Sequence, residues 1–137
     1  MNNSALALLL YAAWTLLLLG GIAVLRGGLT VSGKRTANSF SVSGDDVSPF
    51  SARLCRAHAN CYENLPVFGS IVLVAILTGN TYITEQLALW ATAARICQST
   101  VHLISTGNLA VQIRFAFLFS QFLIQAWWLV RLVGVLI

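Results

Sequence analysis

The chain has 137 residues, of which 58% are hydrophobic and 9% charged, and its mean hydropathy is +0.81. Soluble domains carry about 25% charged residues, so this chain lacks the polar residues to cover a soluble fold and reads as a membrane protein of one domain, residues 1–137. Its net charge of +4 is small and dispersed, with no Lys/Arg tract interleaved with aromatics, which sets nucleic acid aside as a partner.

Four apolar segments follow one another, and each reaches the roughly 20 residues that a helical span requires. The first, Ser4–Leu25, carries no charge. No Lys or Arg precedes it, and its apolar run exceeds the roughly 7–15 residues of a signal-peptide core, so it reads as a retained span. Arg26–Pro49 follows, rich in Gly, Ser, Thr and Asn, with Lys34 and Arg35 set against Asp45 and Asp46. That composition predicts a flexible, solvated loop.

The second helix is predicted over about Phe50–Thr78. Its first half is polar yet runs unbroken into the apolar Leu65–Leu77. At 3.6 residues per turn, Arg53, Arg56, Asn60, Glu63 and Asn64 fall within an arc of about 100°. Charges at bilayer depth cost roughly 2.5–3.5 kcal/mol each. They usually face a bundle interior or a watery cavity, which makes them functional-site candidates.

Gly79–Tyr82 reads as a tight turn into the third helix, about Ile83–Ile104. That helix carries a stripe of small and polar residues: Thr84, Ala88, Ala91, Arg95, Gln98, Ser99, His102 and Ser105. Ser105–Leu109 holds Gly107 and Asn108, a helix stop. The fourth helix, about Ala110–Ile137, has a sparser stripe of Arg114, Gln121 and Gln125. The basic residues gather around the first and third connections, and the second has none. The positive-inside rule then makes loops one and three cytoplasmic and puts both termini on the other side.

Small and polar stripes first mean helix packing, because small side chains allow close approach and amides bond across helices. Packing explains Arg95 only if it has a partner, and Glu63 is the candidate. Arg53, Arg56 and Arg114 remain over. An anionic ligand accounts for them, and so does snorkelling to lipid phosphate, above all for Arg53 near the membrane edge. Cys55, Cys61 and Cys97 form no CxxC pair and read as packing residues. His58 lies opposite the polar face of helix two and His102 in another segment, so no metal site is predicted.

Read together, these residues resemble a known family. Arg53, followed by Arg56-Ala-His-Ala-Asn60-Cys-Tyr-Glu63-Asn64-Leu-Pro66, is similar to the helix-two signature of the MAPEG family, the membrane-associated proteins in eicosanoid and glutathione metabolism. Ala94-Arg95-Ile-Cys-Gln98-Ser-Thr-Val-His102-Leu resembles its helix-three signature, and Arg114-Phe115 a third feature. The four-span plan and the long first loop agree with the microsomal glutathione transferase-like, bacterial-type members.

The resemblance implies an all-α, four-transmembrane-helix bundle that forms a homotrimer, with glutathione as co-substrate held between subunits near the cytoplasmic side. Arg53, Arg56 and Arg95 would bind its carboxylates and Glu63 its ammonium. Asn60, Asn64, Gln98 and His102 would complete the site. Arg114 would be the catalytic residue that stabilises the thiolate for attack on a hydrophobic electrophile or lipid. A thiol with a pKa near 8.5 is about 3% ionised at pH 7, and a drop of two units, about 2.7 kcal/mol, makes it mostly thiolate. The implied function is a glutathione-dependent transferase or peroxidase serving detoxification. Many catalytic members carry His and Tyr where this chain has Gln98 and His102, and some carry Tyr in place of Asn64. The alternative is therefore a non-catalytic membrane binding protein or scaffold of the same fold. A small four-span exporter ranks behind both, because Ser4–Leu25 lacks a membrane-embedded acid.

Overall fold

A backbone surrounded by hydrocarbon must satisfy its own hydrogen bonds, so long apolar segments fold as helices. The computed structural model describes residues 2–137. It contains α1 (Asn3–Val31), α2 (Pro49–Leu77), a 3-10 turn (Thr81–Ile83), α3 (Glu85–Ile104) and α4 (Asn108–Leu136). Among the described residues there is no strand.

Local chemistry sets the helix starts. The side-chain oxygen of Asn2 accepts from the amides of Ser4 and Ala5, at 3.0 and 3.3 Å. The hydroxyl of Ser48 accepts from the amide of Ser51 at 3.0 Å, with Pro49 opening the first turn, where its missing N–H costs nothing. From the apolar run alone α1 ends at Leu25, but the helix continues to Val31. A charge does not stop a helix whose backbone bonds continue. Thr30 donates to the Arg26 carbonyl at 3.0 Å, while the Arg26 guanidinium folds back onto the Ser41 carbonyl at 2.7 Å.

Cross-links fix the order up-down-up-down. Ser4 and Thr84 pair through their hydroxyls at 2.7 Å, and Thr92 donates to the Ala7 carbonyl at 3.1 Å, which makes α1 and α3 parallel. Tyr11 donates to the Cys61 carbonyl at 3.3 Å and Arg26 to Cys55 Sγ at 3.7 Å, which makes α2 antiparallel to both. Contacts of Arg114 with His102 and of Gln121 with Gln98 make α4 antiparallel to α3. Ala7, Ala57, Ala75, Ala88 and Ala91 stand in the core among larger residues such as Leu18, Ile71 and Ile83, and Tyr11, Phe68 and Trp128 close it. The short side chains of the alanines let backbones approach, which drives packing where lipid is as apolar as the helices themselves. Leu9, Leu16, Phe122 and Val130 point outward and stay exposed. The last helix packs along α3 but diverges from α2, leaving a lateral groove between α2 and α4.

Three of the four helices, α1, α2 and α4, are long and apolar enough to cross a membrane. At 20 residues α3 spans about 30 Å, the thickness of the hydrocarbon layer. Its apolar content is lower because Thr92, Arg95, Gln98, Ser99 and His102 are turned into the bundle and buried.

The connection of residues 32–48 is largely exposed, as its composition predicts, yet its polar groups are bonded to one another. Arg35 pairs with Asp46 at 2.6 Å and donates to the Ser39 and Asp46 carbonyls at 2.7 and 3.0 Å. Gly44 has a φ of +72°, and a Cβ there would lie 2.7 Å from Cys55 Sγ and 2.9 Å from the Ser51 carbonyl. Only glycine allows the loop to seat this closely on α2. The Ser41 hydroxyl and amide, then Arg35, hold the Asp46 carboxyl down at about pKa 2. A depressed carboxylate contributes stability above its unfolded pKa of about 3.9 and loses it as pH falls through the folded value. The amide proton shift of Ser41 in detergent micelles should therefore titrate with a midpoint near 2. A midpoint near that of a free aspartate would mean that the loop is not held this way.

Candidate functional site

The polar half of the α2–α4 groove is a cleft of about 300 Å³ lined by Asn60, Glu63, Asn64, Arg95, Gln98 and Leu118. Turn spacing puts it there. Asn60, Glu63 and Asn64 occupy successive turns on one face of α2, and Arg95 and Gln98 do the same on α3. All five were identified from sequence, and the fold brings them to one place.

Arg95 is the floor of the cleft and only 2% exposed. Its Nη1 donates to the Asn60 carbonyl at 3.3 Å, and its guanidinium carbon lies 5.9 Å from the centre of the Tyr11 ring. Among the described residues, its Nε and Nη2 have no acceptor. The ion pair with Glu63 that a packing role for Arg95 would require is not formed, since among the described residues the only ion pair is Arg35–Asp46. Glu63 sits exposed on the lip of the cleft, with Arg95 buried at its base. One cleft thus presents a buried cation and a carboxylate that are not spent on each other.

Amides and hydroxyls around the cleft are held in place. Asn64 donates to the Tyr11 hydroxyl at 3.2 Å. Gln121 donates to the Gln98 side-chain oxygen at 3.0 Å and to the Phe117 carbonyl at 2.8 Å. With its oxygen occupied, Gln98 keeps its NH₂ group as the free end. Cys61 and Ser99 pair behind Arg95 at 3.2 Å. Tyr11 and Gln121 were not among the residues singled out as a site. Tyr11 was legible as part of a polar stripe on the first helix, Ser4, Tyr11 and Thr15, all buried. Gln121 stood in the weak stripe of helix four and is 1% exposed.

The remaining predicted residues lie elsewhere. His102 and Arg114 meet one turn nearer the loop end, with Nη1 of Arg114 3.5 Å from His102 Nε2. Arg53 donates from Nε to the Leu103 carbonyl at 2.9 Å, capping α3, and stacks near Phe50. Arg56 is exposed and outside the cleft lining. Beyond Asn64 the groove turns apolar along Val67, Ile71, Phe122, Gln125, Ala126 and Leu129. His58 lies on the opposite face of α2 in a separate cavity with Arg26, Cys55 and Tyr62.

A buried guanidinium with two unsatisfied nitrogens does not stabilise a fold, and replacing buried ions with apolar groups is often neutral or stabilising by about 1–4 kcal/mol. Arg95→Met should therefore leave the thermal unfolding temperature in detergent unchanged or raise it. A marked drop would make Arg95 a structural residue.

Residues 4–134 match the MAPEG family, and the chain belongs to it. No curated protein and no solved structure matches the chain. With three membrane-capable helices and this membership, the protein is an integral membrane protein.

Proposed function

From this membership we propose a glutathione-dependent membrane transferase or peroxidase that acts on hydrophobic electrophiles, with glutathione held in the α2–α4 cleft. One observation carries the reading: Arg95 and Glu63 share a cleft without pairing. Glutathione has two carboxylates, one ammonium and two peptide groups. The cleft offers matching groups, namely a guanidinium with two free donors, a carboxylate at the lip, and the amides of Asn60, Asn64 and Gln98. The unsatisfied nitrogens of Arg95 are the fit test, because a carboxylate supplies what they lack.

When bound, glutathione would supply the nucleophilic thiol. The protein's part is orientation and charge. Arg95 anchors a carboxylate, and Glu63 anchors the ammonium. Arg114, about 6 Å along α4 from Leu118 at the cleft wall, places a second guanidinium where the thiol can sit. A guanidinium in a dry site favours the thiolate. The apolar stretch beyond Asn64 gives an electrophile dissolved in the bilayer a surface to lie on.

The cleft is open on the side of the bundle, and a second subunit would cover it. The proposed assembly is the homotrimer of the family, with glutathione between neighbours. The proposed orientation makes loops one and three cytoplasmic. Arg26, Lys34, Arg35, Arg53, Arg56 and Arg114 all gather at that end, against Arg131 alone near the other. Maleimide labelling of Ser43→Cys and Asn80→Cys in sealed vesicles, with the native cysteines replaced, should report opposite sides. Labelling of both from one side would remove this topology.

The reading is tested by titrating glutathione into detergent-solubilised trimer and following thiolate absorbance. Binding with thiolate formation supports the enzyme. Binding without it supports the non-catalytic binding protein, and no binding ends the glutathione-dependent reading. Glu63→Gln should weaken binding by about tenfold or more, as loss of a charge-assisted bond costs about 1.5–3 kcal/mol. Thr100→Ala, on the exposed face of α3, should not. Equal affinities would move the ammonium site elsewhere.

A further inference from the structure

The contact between His102 and Arg114 is not explained by a ligand-binding role for His102. A guanidinium has only donors, so at 3.5 Å Arg114 Nη1 must donate and His102 Nε2 must accept. That requires a neutral ring with its proton on Nδ1. His102 is 8% exposed, and among the described residues its Nδ1 has no partner. The contact is long, as such contacts often are before a ligand arrives.

We propose that His102 is a positioning residue for Arg114. Its neutral imidazole, fixed as the Nδ1–H tautomer, holds the guanidinium at the loop end of the cleft, and protonation releases it. An added proton removes the only acceptor and sets a second cation against the first. The catalytic consequence rests on the proposed role of Arg114, but the coupling itself does not.

Among the described residues no carboxylate bonds to His102 to hold the protonated ring in place. From α4 the charged group is Arg114. From α2 it is Arg53, bonded to the neighbouring Leu103 carbonyl, with Arg56 exposed beyond it. On the same helix face, Arg95 lies two turns away, bonded to the Asn60 carbonyl. From α1 come Tyr11, at the level of Arg95, and Arg26, bonded to Ser41 and Cys55. Glu63 lines the cleft and Glu85 opens α3 at its other end. Neither bonds to His102.

Two experiments test the proposal, one without glutathione. In the full chain in lipid nanodiscs, labelled with ¹⁵N in the histidine rings and assigned with His102→Gln, His102 should show the Nδ1–H tautomer at neutral pH. Arg114→Gln should shift it toward the commoner Nε2–H form. The same tautomer in both proteins overturns the coupling, whatever the protein's activity. The second experiment is a pH–rate profile. On the acid side the wild-type rate should fall with a slope steeper than one while His102 takes its proton, by about a further tenfold, and with a slope of one below that range. His102→Gln keeps an acceptor at the place of Nε2, so it should keep most of the neutral-pH rate with a slope of one. His102→Phe should lose about tenfold at pH 7, one unit of thiol pKa, and the His102→Phe/Arg114→Ala double variant should be no slower than Arg114→Ala alone. Additive losses, or a wild-type profile in both single variants, overturn the latch. A wild type that forms no thiolate refutes the transferase reading but leaves the tautomer result standing as the test of the latch.

Discussion

A single buried guanidinium organises this molecule. Arg95 lies about nine residues, or roughly 13 Å, inside the loop end of α3. A cation at such depth must be held by protein, because lipid cannot solvate it. The Asn60 carbonyl and the Tyr11 ring do so, and these come from α2 and α1 respectively. One charge on α3 therefore meets α2 and α1 at the floor of the cleft. It also leaves two nitrogens without acceptors, so the fold carries an unmet demand for an anion at the base of the cleft.

The lateral groove follows from how α4 packs. It follows α3 closely, held by Gln121 on Gln98 and by Arg114 on His102, and it diverges from α2. The space between α2 and α4 is polar toward the loop end and apolar toward the other end. The change falls at Asn64, which lines both parts. A polar nucleophile and an apolar partner need such a boundary if they are to meet. In the bilayer the apolar half is continuous with the lipid, while the polar half keeps Arg95 at its buried floor.

The ordered loop contributes to the same end of the bundle. Gly44 lets it press on Cys55 and Ser51 at the start of α2, and Arg26 fastens it from α1. The helix that carries Asn60, Glu63 and Asn64 is thus pinned at its beginning, and the cleft residues inherit that rigidity. The Arg35–Asp46 pair keeps the loop closed from outside, where a lone ion pair contributes little and the serine hydrogen bonds share the work.

The sequence by itself determined the number and order of the helices and five of the six cleft residues. Hydropathy and the 3.6-residue period are local properties, so Asn60, Glu63 and Asn64, and Arg95 and Gln98, could be placed on faces without knowing what those faces meet. Composition showed residues 32–48 to be polar and exposed, but polarity does not say whether polar groups bond to water or to each other. The apolar run also set the end of the first helix too early, at Leu25, because a charge does not interrupt backbone bonds that continue to Val31. The tertiary structure alone decided the pairings. Glu63 and Arg95 look like partners in sequence, yet the carbonyl of Asn60 and the ring of Tyr11 take the guanidinium, and Arg53 turns away to cap α3. Tyr11 and Gln121 enter the site only through contacts across helices far apart in the chain. Periodicity tells which way a residue faces on its own helix. Which neighbour it meets depends on how close the helices come, and here the small residues of the core set that distance.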